Sequence, residues 1–117
     1  MCGFLVEIDI DNNLSDRNQF IKNSKILINR GPDHYKYESD EEFFQSGFCR
    51  LSIIDSSENG NQPMVSTCGR YICLFNGEIY NHKKIYEKIK NQFFWRGHSD
   101  TEILLNAWIT YGKEIFS

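Results

Sequence analysis

The chain begins with Met1-Cys2-Gly3-Phe4-Leu5-Val6-Glu7-Ile8-Asp9-Ile10, the stretch that sets the first element of the fold. Successive side chains of a β-strand point to opposite faces, so every second residue shares a face. In residues 4–10 the acids lie on one face, and the other face is apolar throughout. The apolar face consists of Phe4, Val6, Ile8 and Ile10. This alternation predicts a half-buried strand over residues 4–10, with these four side chains directed into the core.

A helix is predicted after this strand. Residues 11–13 are typical of a turn, and either Ser15 or Asp16 is suited to cap the helix that follows. Mostly apolar residues then recur at the spacing that places them on one face of a helix, namely Phe20, Ile21, Ser24, Leu27 and Ile28. The pair Gly31-Pro32 ends this pattern.

The remaining elements are predicted from patterning and turn residues. Residues 38–42 form a loop or hairpin tip, residues 43–54 a strand interrupted at Gly47, residues 55–63 a loop and residues 70–76 another strand. Asn81 can cap a helix whose apolar positions are Ile85, Ile89 and Phe93. A capping box, Ser99-Asp100-Thr101-Glu102, opens the last helix, which carries Ile103, Leu104, Ala107 and Trp108 and ends at Gly112. Strands and helices that are partly segregated along the chain favour a layered α+β fold over a doubly wound parallel sheet.

The composition is typical of a folded domain. The chain has 117 residues, of which 40% are hydrophobic and 25% charged, and this excludes a disordered polyelectrolyte. The 13 basic and 16 acidic residues give a net charge of −3, which does not favour nucleic acid as a partner. No apolar run approaches the roughly 20 residues that span a bilayer, and no secretory signal is visible. We therefore expect a cytoplasmic location and no membrane contact.

The four cysteines show no metal-binding pattern. Cys2, Cys49, Cys68 and Cys73 contain no C-x-x-C pair and no zinc-like spacing with any histidine, so no metal site is expected. In a reducing compartment all four are expected to be free thiols. Cys49 and Cys73 lie in apolar, strand-like segments and are interpreted as small buried side chains.

Cys2 differs from the other cysteines because of its position. Methionine before a small second residue is normally removed, and its removal makes Cys2 the N-terminal residue. The α-amine can then act on the thiol as a general base, directly or through water. Gly3 lets the backbone approach a substrate closely. An early cysteine is nevertheless more often incidental, so this position alone is weak evidence for a nucleophile.

Three further positions each have a chemical and an ordinary interpretation. Asn76-Gly77 can form a hairpin turn, or it can supply the side-chain amide and backbone N–H of an oxyanion hole. Arg50 can bind a carboxylate through two parallel hydrogen bonds, or it can be an edge-strand residue. Asp100 can accept from an α-ammonium group, or it can complement the dipole of its helix. For each position taken singly, the ordinary interpretation is favoured.

Taken together, these residues fall within six motifs that occur in a single order. The motifs are Met1-Cys2-Gly3, Arg30-Gly31-Pro32-Asp33, Arg50-Leu51-Ser52-Ile53-Ile54-Asp55, Gly60-Asn61-Gln62-Pro63-Met64, Phe75-Asn76-Gly77-Glu78-Ile79-Tyr80-Asn81 and Ser99-Asp100-Thr101-Glu102. In this set and order the chain resembles the class II, or N-terminal nucleophile, glutamine amidotransferase domain of the asparagine synthetase family.

The resemblance implies glutamine hydrolysis through a thioester on Cys2. It also implies that Asn76 and Gly77 stabilise the oxyanion and that Arg50 binds the α-carboxylate of glutamine. It implies further that Asp100 holds the α-ammonium group with help from other substrate-binding residues, namely Leu51, Ser52, Ile53, Ile54 and Glu78. The motif at residues 30–33 is left without a catalytic role, and Gly31-Pro32 is interpreted as a structural turn.

The same resemblance implies a four-layer αββα sandwich of antiparallel sheets. Residues 1–117 then form a partial, C-terminally truncated domain, because the family pattern continues past the last helix. The synthetase domain that accepts the ammonia, with its ATP and Mg²⁺, lies outside this sequence, and no cofactor is expected for this chain. Partners are glutamine, an ammonia-accepting synthetase domain or subunit, and a possible second copy of the chain. The alternative is a catalytically weak or inactive remnant that binds glutamine or docks to a partner.

Overall fold

The computed structural model describes residues 2–11, 13–52 and 57–116. The strands are β1 (Gly3–Ile8), β2 (His34–Ser39), β3 (Phe44–Arg50), β4 (Met64–Val65) and β5 (Ile72–Cys73), and the helices are α1 (Arg17–Ser24), α2 (His82–Ile89) and α3 (Asp100–Tyr111). Short 3₁₀ helices span Lys25–Arg30, Glu58–Gly60 and Gly112–Phe116. The chain divides into two compact units: unit 1 is Met1–Ser52 with Asn61–Pro63, and unit 2 is Ile53–Gly60 with Met64–Ser117.

Within the described residues, each unit contains one antiparallel sheet. In unit 1 the strand order is β1-β3-β2, and in unit 2 strand β4 pairs with β5. The predicted α+β class with antiparallel sheets is therefore confirmed, and the four-layer sandwich stays a prediction. Strand β2 was not predicted, and the strand predicted for residues 70–76 is reduced to Ile72–Cys73. The first strand ends at Ile8 rather than at Ile10.

Helix α1 packs on the face of the unit 1 sheet that carries Gly47. The buried Ser24 of α1 is hydrogen-bonded to the Tyr35 hydroxyl at 2.7 Å, and a Cβ at position 47 would collide with Ser24. Phe20, also buried, makes an edge-to-face contact with Tyr37, with ring centroids 6.1 Å apart. The absence of a side chain at Gly47 thus lets the helix approach the middle strand closely.

The end of the first strand differs from the prediction. Ile8 is 71% exposed and Ile10 is 83% exposed, so the expectation that they point into the core is wrong. The physical reason is their position, because Ile8 is the last residue of β1, paired with Phe44 at the start of β3, and Ile10 lies beyond the strand. On the predicted face, Phe4 stacks on the fully buried Phe48 but is itself 39% exposed.

The connection between β2 and β3 is the predicted hairpin tip, and it is built around Asp40. One carboxylate oxygen of Asp40 accepts the backbone N–H groups of Glu42, Phe43 and Phe44 at 2.9–3.0 Å. These hydrogen bonds favour the charged form and hold the pKa of Asp40 below its ordinary value.

The predicted caps of α1 and α3 are confirmed, whereas Asn81 precedes α2 as predicted but its side chain makes no capping hydrogen bond. Of the two candidate caps of α1, it is Asp16 that accepts the backbone N–H of Gln19, at 3.1 Å. In the capping box, Ser99 accepts the N–H of Glu102 at 3.2 Å. The Glu102 carboxylate, however, accepts the N–H groups of Arg96 and Gly97, each at 2.9 Å. Glu102 therefore fixes the loop before α3 as well as the start of the helix.

The apolar side of α3 is broader than its predicted stripe. Ile103 and Ala107 are buried as expected, Leu105 is buried as well, and Trp108 is 38% exposed. Phe93 lies beyond the end of α2, so its predicted place on that helix is wrong. No helix within the described residues combines the length and the hydropathy needed to cross a bilayer.

Glu7 of β1 gives the folded chain a predicted dependence on pH. Its carboxylate accepts the Ser15 hydroxyl at 2.6 Å and the Ser15 backbone N–H at 3.0 Å, and it also binds Gln45. These hydrogen bonds lower the pKa of Glu7 below its ordinary value, and the one from the Ser15 hydroxyl contributes most. A lowered pKa in the folded state contributes stability above the unfolded pKa, and this stability is lost as the pH falls through the folded pKa.

We expect Glu7→Gln to lower the free energy of unfolding at pH 7 by only about 1 kcal/mol, because solvent screens the contacts of this partly exposed carboxylate. The difference from the wild-type chain should shrink below about pH 4.5 and vanish at lower pH. Urea unfolding at a series of pH values measures it. The control, Ser15→Ala, removes the principal cause of the shift and should reproduce part of the change. A Glu7→Gln difference that is the same at pH 3 and pH 7 would contradict this assignment.

Candidate active site

Unit 1 places the Cys2 thiol at the end of β3. Gly3, the next residue, pairs with Cys49 in the antiparallel register, so Cys2 lies level with the residues that follow Cys49. The backbone N–H of Leu51 donates to the Cys2 Sγ at 3.3 Å, and the thiol contacts the Leu51 carbonyl oxygen at 3.6 Å. Cys2 is half-buried. The predicted nucleophile and the predicted substrate-binding segment are thus in direct contact.

Arg50, the last residue of β3, is a buried cation with an amide partner. Its side chain and backbone together are only 6% exposed. The guanidinium Nη1 donates to Oδ1 of Asn61 at 2.7 Å. Asn61 lies in the segment Asn61–Pro63, which belongs to unit 1 although it follows residues of unit 2 in the sequence. Sequence reasoning assigned no role to Asn61.

The motif Arg30-Gly31-Pro32-Asp33 makes hydrogen bonds to the backbone of the candidate site residues. The Arg30 Nε donates to the carbonyl oxygen of Cys2 at 3.2 Å. Asp33 donates its N–H to the carbonyl oxygen of Arg50 at 3.0 Å, and its carboxylate accepts the N–H of Ser52 at 2.7 Å. The sequence interpretation as a structural turn is therefore incomplete, because charged residues on both sides of Gly31-Pro32 position the candidate site.

Gly31 itself is required by the close approach of β3. A Cβ at position 31 would collide with the carbonyl oxygen of Cys49, which is backbone and cannot move aside like a flexible side chain. Any larger residue would therefore push the motif away from the strand end. The charged residues Arg30 and Asp33 reach Cys2 and Ser52 because this position carries no side chain.

Unit 2 contains the second group of predicted residues, in the loop after β5 and at the start of α3. Asn76, Gly77 and Glu78 are exposed. The N–H of the next residue, Ile79, donates to the Asp100 carboxylate at 3.1 Å. Asp100 is the first residue of α3 and is 6% exposed. The Asn-Gly loop and the predicted ammonium-binding carboxylate are therefore joined by a hydrogen bond.

The structure thus places the predicted residues in two groups, one in each unit. Unit 1 brings together Cys2, Arg50, Leu51 and Ser52, and unit 2 brings Asp100 together with the loop of Asn76, Gly77 and Glu78. Ile53 and Ile54 lie outside the described residues. Among the described residues no group of three His, Cys, Asp or Glu side chains is arranged to hold a metal ion.

The four cysteines are free, as predicted, and their surroundings differ. Burial raises the pKa of the Cys73 thiol to about 11, with a smaller contribution from Asp100. Burial also raises the pKa of Cys49, which is fully buried as predicted. Cys68 is exposed, and its contacts with Ser66 and Arg70 lower the pKa of its thiol.

An apolar cavity of about 480 Å³ lies beside the Asn-Gly loop in unit 2, and sequence reasoning did not detect it. Its lining combines residues from the loop, from α2 and α3, and from the last 3₁₀ helix: Phe75, Glu78, Ile79, Tyr80, Asn81, Ile85, Leu104, Ile115 and Phe116. The mainly apolar lining does not suit the charged ends of an amino acid.

Antiparallel sheets in an α+β chain, with a thiol at position 2 held at a strand end, are compatible with proteins of the N-terminal nucleophile type. A sequence model of the family described as glutamine amidotransferase domain matches residues 1–117. The chain therefore belongs to the glutamine amidotransferase domain family, as the sequence motifs predicted.

Curated relatives support this assignment. Glutamine-hydrolysing asparagine synthetase 1 of Bacillus subtilis strain 168 is 37% identical over 124 residues, which cover 100% of this chain and 19% of that protein. Glutamine-hydrolysing asparagine synthetase 2 of Arabidopsis thaliana is 36% identical over 97% of this chain and 19% of its own length. Amidase chry2 of Gibberella zeae is 34% identical over 79% of this chain and 14% of its length. The chain thus spans about a fifth or less of the length of these relatives.

Proposed function

We propose that the chain is the glutamine-hydrolysing part of an asparagine synthetase-like amidotransferase, and that it converts glutamine into glutamate and ammonia. The observation that carries this proposal is the contact at the end of β3, where the N–H of Leu51 lies 3.3 Å from the Cys2 Sγ. The next residue back along the strand is Arg50, a buried cation suited to a carboxylate. A nucleophile and a substrate anchor therefore occupy adjoining positions.

In the proposed reaction, removal of Met1 gives Cys2 a free α-amine that accepts the thiol proton. The sulfur attacks the side-chain carbonyl carbon of glutamine and forms a C–S bond. The C–N bond of the tetrahedral intermediate breaks, and the nitrogen leaves as ammonia after taking up the proton. Water then attacks the glutamyl thioester, breaks the C–S bond, and releases glutamate and the thiol.

Side chains of opposite charge recognise the two charged ends of glutamine. The Arg50 guanidinium binds the α-carboxylate, for which its planar donors are matched. Asp100 accepts from the α-ammonium group, with Glu78 and the segment Leu51, Ser52, Ile53 and Ile54 completing the site. The hydrogen bond from Ile79 to Asp100, at 3.1 Å, supports this role because it fixes the carboxylate at the Asn-Gly loop.

Asn76 and Gly77 stabilise the negative charge that develops on the glutamine carbonyl oxygen. The Asn76 side-chain amide and the Gly77 backbone N–H are the two donors of this oxyanion hole. Their exposure in the loop after β5 supports the assignment, because donors of this kind must be accessible to substrate.

The ammonia passes to a synthetase domain or subunit, which would bind the ATP and Mg²⁺ needed to transfer it to an acceptor. Two of the relatives described above are named glutamine-hydrolysing asparagine synthetases, and this favours an acid such as aspartate as the acceptor.

Two measurements on the purified chain test the proposal. Intact mass spectrometry should show a chain lighter by one methionine residue, with Cys2 at its N-terminus. Incubation with glutamine should then yield glutamate and ammonia in equal amounts, because each turnover releases one of each. A mature chain that keeps Met1, or one that forms no glutamate, would contradict the proposed mechanism. Glutamine binding without turnover would instead support the binding-module alternative.

A further inference from the structure

We propose that Asn61 is a positioning residue that holds the Arg50 guanidinium in the orientation that binds the α-carboxylate of glutamine. This inference rests on the proposed function, in which Arg50 is the carboxylate anchor. Asn61 belongs to the motif Gly60-Asn61-Gln62-Pro63-Met64, to which the proposed function assigns no role.

The contact between the two side chains is short and specific. Nη1 of Arg50 donates to Oδ1 of Asn61 at 2.7 Å, at the short end of the range for N–H···O hydrogen bonds. A guanidinium binds a carboxylate through two parallel N–H donors, so the plane of the guanidinium determines where the carboxylate can lie. An acceptor that holds Nη1 restricts the rotation of that plane at the end of a long, flexible side chain.

The segment that carries Asn61 is attached to the same sheet at a second point. The Lys36 Nζ donates to the carbonyl oxygen of Pro63 at 3.1 Å. Lys36 lies opposite Phe48 in the register, two residues from Arg50, so Lys36 and Arg50 share a face of the sheet. Asn61–Pro63 is therefore tied to unit 1 at both ends, and the acceptor oxygen is fixed relative to β3.

Two substitutions separate the acceptor oxygen from the bulk of the side chain. Asn61→Leu keeps a similar size and removes the acceptor, so KM for glutamine should rise about tenfold with kcat within about twofold of wild type. Asn61→Asp keeps an oxygen at the same place, so KM should stay within about threefold of wild type. Asn59→Leu is the matched control, because Asn59 is exposed and lies only two residues away, and it should leave both constants unchanged.

A double-mutant cycle distinguishes positioning from a merely structural role. If Asn61 acts through Arg50, Asn61→Leu should change KM by less than about twofold in the Arg50→Ala background. A structural defect would lower activity in both backgrounds and lower the melting temperature in both. The same comparison is made without turnover, by calorimetric titration of glutamine into Cys2→Ala chains that do or do not carry Asn61→Leu.

The possible outcomes are distinct. If Asn61→Leu leaves both KM and the dissociation constant for glutamine unchanged, the inference is overturned and the proposed function stays intact. Equal losses in Asn61→Leu and Asn61→Asp also overturn it, because the oxygen would then not be what matters. A parent chain that neither hydrolyses nor binds glutamine overturns the proposed function, and this inference with it.

Discussion

The Cys2→Ala variant is expected to release no measurable glutamate from glutamine, a loss of about 10⁴-fold or more in turnover. The reason is that alanine has no nucleophile to form the thioester, and the remaining groups can only bind substrate and stabilise charge. The measurement is glutamate formation over time at saturating glutamine. Because the Arg50 and Asp100 side chains are unchanged, calorimetry should still detect glutamine binding.

The matched control for Cys2→Ala is Cys68→Ala. Cys68 is exposed, and the contacts that lower the pKa of its thiol make it the best rival nucleophile among the other cysteines. Turnover should be unchanged in Cys68→Ala. The melting temperature of Cys2→Ala should stay close to that of the wild-type chain, because only the weak sulfur contacts with Leu51 are lost. Glutamate release that persists in Cys2→Ala would rule out the thioester mechanism.

The second large effect is expected from Asn76→Ala, which removes one donor of the proposed oxyanion hole. Loss of one such donor typically lowers kcat by about 10²–10³-fold. KM should change little, because the donor acts on charge that develops in the transition state and not on the bound substrate. Steady-state kinetics with glutamine measure both constants. Since Asn76 is exposed, the substitution should not affect folding.

Asn81→Ala serves as the control for Asn76→Ala. Asn81 is an exposed asparagine five residues further along the same segment, and its side chain makes no capping hydrogen bond to α2. Its removal should leave kcat and KM near their wild-type values. If Asn76→Ala raised KM and kept kcat, Asn76 would be a ground-state binding residue and the oxyanion assignment would be wrong.

Local signals in the sequence predicted the helices well because each start depends on residues next to one another. Asp16 and Ser99 cap α1 and α3 through backbone groups three residues away, and this spacing is visible without any tertiary information. By contrast, the exposure of Ile8 and Ile10 was not predicted. The close approach of α1 was not predicted either, because it depends on Gly47 of another strand, where the missing side chain admits α1.

The edge strand β2 was not predicted. In β2 the aromatic residues Tyr35 and Tyr37 alternate with Lys36 and Glu38, which form an ion pair with each other at 3.2 Å. Such a strand looks polar, and only the two tyrosines on one face indicate it. Strand β2 lies at an edge of the sheet, where it pairs with β3.

The chemical groups of the candidate site were predicted from type and motif, whereas the residues that support them were not. Arg50 and Cys2 have obvious chemistry in the sequence. Arg30, Asp33 and Asn61 act by hydrogen bonds to positions 11 to 28 residues away, so spacing along the chain could not identify their partners. Clustered charged and amide residues around Gly31-Pro32 and Gln62-Pro63 were the available signal.

Among the described residues, the sulfur of Cys2 is held by the main chain of Leu51. Every amino acid except proline offers the same backbone N–H, so the identity of residue 51 can vary while the hydrogen bond to the sulfur is kept. Placement of the nucleophile is therefore encoded in strand pairing. A one-residue slip of β1 against β3 would misplace the thiol without altering any residue that takes part in the chemistry.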